Sequence, residues 1–186
     1  MPNSISFRPL SRSDFPLLQR WLTESHVVAW WRQSLDLAGV EAKYGPRVDG
    51  IEPTQVFVIE YRGRPAGWIQ WYRWADYPGH AHQLGADLGS VGIDLAIGER
   101  EMTGKGLGPG TIREFIDQII FVDPAVSAVI TDPEENNLRS LRAFKKAAFT
   151  VMKKVKLHGE SFQRCVVRLN HAHGINATQG EIQRRS

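Results

Sequence analysis

Gly104, Lys105, Gly106, Leu107, Gly108, Pro109 and Gly110 run into a stretch where Ile112, Phe115, Ile116, Ile119 and Ile120 recur at helical spacing. A loop that feeds a helix carries N–H groups with no upstream carbonyl to accept them. Together with the helix dipole they attract phosphate. Glycine permits positive φ and a close approach of backbone to ligand, and Lys105 adds a positive charge. A helix-start loop without a ligand would have the same composition, so this run alone leaves both readings open. A P-loop is excluded because GxxxxGK[ST] is absent, and the dinucleotide fingerprint fails because no βαβ repeat surrounds the glycines. Upstream, residues 76–101 hold five acids (Asp76, Asp87, Asp94, Glu99 and Glu101) against Arg100, a local field that suits a cation. Trp30 and Trp31 are adjacent, so on a helix they cannot both face the core: either one ring is available to a sugar or a cationic amine, or both lie in a hydrophobic seam. His80 and His82 lack a third ligand nearby and read as surface residues, so no metal is expected. Cys165 alternates within a strand and reads as a buried thiol. No Ser-His-Asp arrangement with recognisable context is present.

The elements that must hold these residues follow from periodicity. Ile5, Phe7 and Pro9 alternate as a first strand, and a helical stretch runs from near Asp14 to Leu22 with Phe15, Leu18 and Leu22 on one face. The segment from His26 to Trp31 follows, then a second helical stretch through Val48. Apolar runs from Gln55 to Tyr61 and from Ala66 to Tyr72 flank a turn at residues 62–65. Residues 74–90, rich in glycine and poor in large aliphatics, read as a long loop. Ser90 to Ile97 reads as a central strand, Ala128 to Thr131 as a short strand and Asn136 to Ala147 as a helix. Two last strands run from Thr150 to Leu157 and from Phe162 to Leu169. The order predicts an α/β chain, with a central twisted mixed sheet and helices on both faces. It is one domain over 1–170, with a frayed tail over 171–186.

Asn137 opens a stretch that closes at Ala148 and Phe149 in the pattern N-x-x-x-x-x-x-[YF]-x-K-x-[GA]-F. Following a GxG turn, a helix and a strand, this resembles the GCN5-related N-acetyltransferases (GNAT fold) over roughly residues 5–170. The resemblance implies acetyl-CoA as co-substrate, its pyrophosphate on the Gly-rich turn and its pantetheine arm near Asn137. The cofactor-contacting positions would be Leu95, Ala96, Ile97, Lys105, Gly106, Leu107, Gly108, Gly110, Thr111 and Asn137. A narrower likeness is to aminoglycoside 6'-N-acetyltransferases, carried by Ser25 to Trp31, Gly67 to Tyr72, Gly92-Ile-Asp94, Gly104 to Gly108, Thr131-Asp-Pro133 and Asn137 to Arg139. It implies Asp94 as the general base. An ammonium has no lone pair for attack, and a carboxylate can take its proton. It also implies substrate contacts from Trp31, Gln70, Asp87 and Asp132. The chain departs from the family at Phe144, where many relatives carry a Tyr that protonates the leaving thiolate, at Ala148 in place of Gly, and at Thr103.

Composition narrows the alternatives. One cysteine permits no intrachain disulfide and fits a reducing cytoplasm. Nothing approaches a membrane span, and the N-terminal residues do not read as a secretion signal. The net charge of +3 hides an uneven spread, with seven basic and two acidic residues over 153–186. That basic end lacks interleaved aromatics, so no nucleic-acid partner is expected. The expected function is transfer of acetyl from acetyl-CoA to the 6'-amine of an aminoglycoside, in a ternary complex, by a monomer or homodimer, giving antibiotic resistance. The alternatives are another amine, since Ser25 to Trp31 also resembles acyltransferases that modify a lysine-derived siderophore precursor, and a non-catalytic module that keeps the CoA cleft.

Overall fold

A computed structural model describes residues 4–33 and 36–171. The strands β1 (Ile5–Pro9), β2 (Gln55–Tyr61), β3 (Arg64–Arg73), β4 (Val91–Ile97), β5 (Ala128–Thr131), β6 (Thr150–Val155) and β7 (Arg164–Asn170) form one sheet, in the order β1-β2-β3-β4-β5-β7-β6. Every neighbouring pair is antiparallel except β4 with β5, so the sheet is mixed. The helices are α1 (Phe15–Thr23), α2 (Ser25–Trp31), α3 (Leu37–Val48), α4 (Pro78–Leu84), α5 (Leu107–Phe115) and α6 (Leu138–Lys146). A π turn over Ile116–Ile120 continues α5. The expected tail lies, from residue 172 onward, outside the described residues.

Side chains alternate across the strands and so sort into clusters on the two faces. Ile59, Ile69 and Ile93 join Ile112 and Phe115 of α5 and Phe144 of α6 on one face. On the other, Val58 and Trp68 pack with Leu18 and Trp21 of α1 and with Val40 and Tyr44 of α3. A third cluster on that second face joins Trp74, Ala128, Ile130 and Val166 to Ala81 and Leu84 of α4. The expectation of helices on both faces is met.

The expected long loop at 74–90 is corrected. It contains a short 3-10 turn at Trp74–Asp76 and then α4, with Pro78 in its first turn and Gly85 closing it at φ 66°. Its buried side is made by a tryptophan, an alanine and one leucine, so it offers little aliphatic periodicity to read. Residues 26–31 also prove helical, as α2.

The β4–β5 junction decides where chemistry can occur. Their parallel ladder is confined to Val91 with Val129. Further on, the Thr131 hydroxyl donates to the Ile93 carbonyl at 2.9 Å. β3 pairs with β4 along its whole length. The C-terminal half of β4 therefore keeps one edge without a strand partner, open to the helix-lined side.

Candidate active site

Two cavities meet at this opening. The first is lined by Asp94 on β4, Thr131, Asp132 and Glu134 at the end of β5, and Arg164 at the start of β7. The second runs from the free edge of Leu95, Ala96 and Ile97 to the N-terminus of α5, with α6 as its opposite wall. Trp30, Trp31, Leu95, Asn137, Ser140 and Phe144 line both, so they mark the junction.

Asp94 and Gln70 are direct cross-strand partners, a placement that sets their side chains against each other. They sit on the second face, in the seam between the Trp68 and Trp74 clusters. Gly92 helps make that seam, because a Cβ there would lie 2.4 Å from the Tyr72 ring. Gln70 is only 8% exposed, and its Nε2 donates to Asp94 Oδ2 at 2.9 Å. Burial pushes the Asp94 carboxyl up to about 6. The Gln70 hydrogen bond opposes the rise and the negative charge of Asp132 adds to it. A carboxyl poised there is ionised at neutral pH yet basic enough to accept a proton.

Asp132 is 5% exposed, with Oδ2 3.4 Å from both His80 Nε2 and Arg164. Its Oδ2 is buried between these two groups, an oriented acceptor at the cavity wall. Asp132 raises the pKa of His80, first by hydrogen bonding and against the opposing effect of burial. Glu134, also buried, is bound by Arg32, whose left-handed φ of 48° ends α2. Arg32 lies 4.5 Å over the Phe162 ring. The first cavity thus combines three carboxylates with Arg164, while His80 and Arg32 contact Asp132 and Glu134 from outside its lining.

Other expected site residues divide. Trp31 packs 4.9 Å from Trp68 and lines the junction, and the more exposed Trp30 does too. Gln70 is buried against Asp94 and lines neither cavity. Asp87 is not brought to the site. It lies before β4, at the end of that strand away from the opening, and accepts from Ser127 at 2.8 Å and from Arg168 at 2.8 Å. Of the other acids in that stretch, Glu99 accepts from Trp21 Nε1 at 2.9 Å and from Arg20, and neither it nor Asp76 lines either cavity.

The second cavity fits a long anionic thioester. Gly106 caps α5 at φ 80°, and Leu107 and Gly108 present the first backbone groups of that helix to the groove. Asn137 caps α6, its carbonyl oxygen accepting from Ser140 N at 3.1 Å, which leaves its amide N–H groups for a ligand. Arg139, Arg142 and Lys146 add positive charge along the same wall. Sequence reasoning missed these three, although their i, i+3, i+7 spacing marks one helix face. It also missed Arg32, His80, Glu134 and Arg164, which meet only through long-range folding. Lys105 is exposed and lines neither cavity. Gly110 faces β1, since a Cβ there would sit 3.2 Å from Ile5. Thr111 is fully buried, with an unpaired hydroxyl, away from the groove. Among the described residues no group of three or more His, Cys, Asp or Glu could hold a metal ion, and no helix is long and apolar enough to cross a membrane.

A sheet splayed between two parallel strands, a Gly-rich helix start facing the gap and a partly buried carboxylate in the adjoining cavity suit an enzyme that transfers an acyl group from a CoA thioester. A family model described as an acetyltransferase (GNAT) domain matches residues 11–157, and the chain belongs to that family. It is 32% identical over 150 residues to aminoglycoside N(6')-acetyltransferase type 1 of Klebsiella pneumoniae, covering 79% of this chain and 74% of that one. The crystal structure of aminoglycoside acetyltransferase AAC(6')-Ib with coenzyme A and kanamycin superimposes at a TM-score of 0.76 and 29% identity, over 90% of this chain and 95% of that one. A structure of the same enzyme with paromomycin and acetyl-CoA gives 0.78 and 28%, over 96% and 99%.

Proposed function

We propose that the chain transfers acetyl from acetyl-CoA to the 6'-amine of an aminoglycoside, and so inactivates the antibiotic in the cytoplasm. The observation that carries this is the partly buried Asp94 carboxylate in an acid-lined cavity that shares a wall with the thioester groove. The names of the similar enzymes support the acceptor class. In this reading α5 and the α6 cations hold the cofactor phosphates, and the free edge of Leu95 to Ile97 holds the pantetheine arm. Asp132 and Glu134 hold the ammonium groups of the acceptor, and the exposed Trp30 ring faces its sugar.

Asp94 takes a proton from the acceptor ammonium. The freed nitrogen lone pair forms the C–N bond to the thioester carbon, the C–S bond breaks, and the second proton that the nitrogen sheds is delivered to the thiolate. Phe144 has no hydroxyl to supply that proton. Of the residues lining both cavities only Ser140 carries an O–H group, and we assign to it the relay, its hydroxyl receiving the nitrogen's proton as it passes its own to the sulfur. Cys165 is buried on β7 and lines neither cavity, so transfer is direct in a ternary complex.

The test is thiol release from acetyl-CoA with a panel of amines. Aminoglycosides with a free 6'-amine should be turned over with kcat/KM at least tenfold above a lysine-derived monoamine, because each additional desolvated ammonium contact is worth about 1–3 kcal/mol. Preference for the monoamine would move the function to the siderophore-type acceptor. Coenzyme A binding without turnover of any amine would leave a binding module.

A further inference from the structure

Arg47 lies on the same face of α3 as the buried Val40 and Tyr44 and closes that stripe against the sheet. Its side chain is only 15% exposed. Nε donates to Glu52 at 3.0 Å, and the guanidinium carbon lies 5.3 Å from the Tyr44 ring centroid. One N–H of the guanidinium remains directed at the sheet, where it donates to Gln70 Oε1 at 2.9 Å. Gln70 Nε2 then donates to Asp94 Oδ2, also at 2.9 Å.

We propose that Arg47 is a positioning residue for the catalytic carboxylate: it selects the orientation of the Gln70 amide, and Gln70 in turn presents Asp94 with one oxygen occupied and the other open to the acceptor amine. The inference rests on Asp94 acting as the base. A guanidinium can only donate, so the Gln70 carbonyl oxygen must face it. The amide group is then obliged to point its NH2 at Asp94. The flipped amide would set its oxygen against the carboxylate while its NH2 met the guanidinium, two repulsive contacts in place of two bonds. Among the described residues Asp94 Oδ1 bears no hydrogen bond, so the arrangement leaves it for the substrate. Gln70 thus serves the base rather than the substrate, a change from the contact that the family resemblance implies. Arg47 itself is two hydrogen bonds away from Asp94.

Every charged or titratable group around Asp94 bears on the test. Gln70 and Tyr72 approach from β3, and Lys43, Tyr44 and Arg47 from α3. Asp132, Arg164 and His80 approach from the side of β5, β7 and α4. Asp132, Arg164 and His80 make no contact with positions 47 and 70, and Lys43 senses Arg47 as a like charge that Arg47→Lys retains.

The experiment is a carboxyl carbon-13 NMR titration of Asp94 in the whole enzyme, paired with the pH profile of kcat/KM. It compares the parent with Arg47→Met, Arg47→Lys, Gln70→Leu and the Arg47→Met/Gln70→Leu double variant. Met keeps the stem packed on Tyr44 but donates nothing, whereas Lys keeps a donor. Losing its hydrogen bond to the ionised form should raise the Asp94 midpoint by about 1 pH unit in Gln70→Leu, and Arg47→Met, which leaves the amide donor but removes the group that orients it, should raise it by about half as much. Arg47→Lys should stay near the parent. In the double variant the shift should equal that of Gln70→Leu alone, since residues acting through one chain are not additive. A midpoint in Arg47→Met within about 0.2 unit of the parent would overturn the proposal. So would a shift that adds in full to that of Gln70→Leu, because Arg47 would then act through space. If the NMR midpoints move as expected but the kcat/KM profiles do not follow them, the positioning stands and the general-base reading fails instead.

Discussion

Replacing Asp94 by Asn should destroy activity and stabilise the fold, and the two effects have one cause. Burial raises the Asp94 carboxyl from its ordinary 3.8 to about 6, so the folded state disfavours the ionised form. For a carboxyl raised on folding, stability falls as pH rises through the window from 3.8 to about 6, because the folded state holds the proton longer than the unfolded one. Above that window the penalty is complete, and a shift of about 2 units corresponds to roughly 3 kcal/mol. The amide introduced by Asp94→Asn would carry no charge, and its carbonyl oxygen could still accept from Gln70 Nε2. Its own NH2 would lack a partner, which should reduce the gain to about 1–2 kcal/mol. Urea unfolding at pH 8 should therefore show Asp94→Asn as the more stable protein, with the advantage shrinking steadily between pH 6 and pH 4. At neutral pH and above, kcat/KM of the variant should fall by about 10²–10⁴ as the base is lost. The parent's kcat/KM should climb with pH through about 6, a limb absent from the variant. An Asp94→Asn protein that unfolds more easily at pH 8, or that keeps most of its activity, would refute the reasoning.

Three further outcomes follow from the geometry. Asp132→Asn should raise KM for a polycationic acceptor by about tenfold while changing kcat little, and the parent's KM should rise with added salt, both read by steady-state kinetics. Gly108→Val should weaken acetyl-CoA binding by at least about tenfold in calorimetry, because the side chain intrudes at the phosphate end of the groove. Its folding should survive, since a Cβ there meets only Ala143 at 3.7 Å. Ala148→Gly should raise stability by about 0.5–1 kcal/mol in denaturant melts. Ala148 sits at φ 71° in the C-terminal cap of α6, where Phe149 N donates to the Phe144 carbonyl at 3.0 Å and Ala148 N to that of Lys145 at 3.1 Å. This is the position at which the left-handed cap favours glycine.

Much of this architecture is legible in the chain because it rests on local signals. The Gly-rich entry to α5, the amphipathic α6 and the alternation in β2, β3 and β4 each follow from a few neighbouring residues, and they place Asp94, Leu95 to Ile97, Gly106 to Gly108 and Asn137 at the cleft. What was not legible comes from tertiary contact. Arg32 meets Glu134 and Arg164 meets Asp132 across long stretches of sequence, and no local pattern announces either pair. Asp87 sits in the same acidic stretch as Asp94 yet falls at the far end of β4, because position along a strand, not composition, decides which acids converge. Lys105 is exposed and lines neither cavity, whereas α6 brings Arg139, Arg142 and Lys146 to the groove wall. Gln70, expected as a substrate contact, is instead hydrogen-bonded to Asp94, with Arg47 behind it.

The measurement that bears most directly on the central claim compares two aminoglycosides that differ only in carrying an amine or a hydroxyl at the 6' position. Each is incubated with the enzyme and acetyl-CoA, thiol release is followed, and the acetylated position is assigned by NMR of the product. The account predicts turnover of the amine, a single product acetylated on the 6' nitrogen, and thiol release from the hydroxyl compound no faster than without acceptor. Equal turnover of the two compounds, or an acetyl group on any other nitrogen, would contradict it.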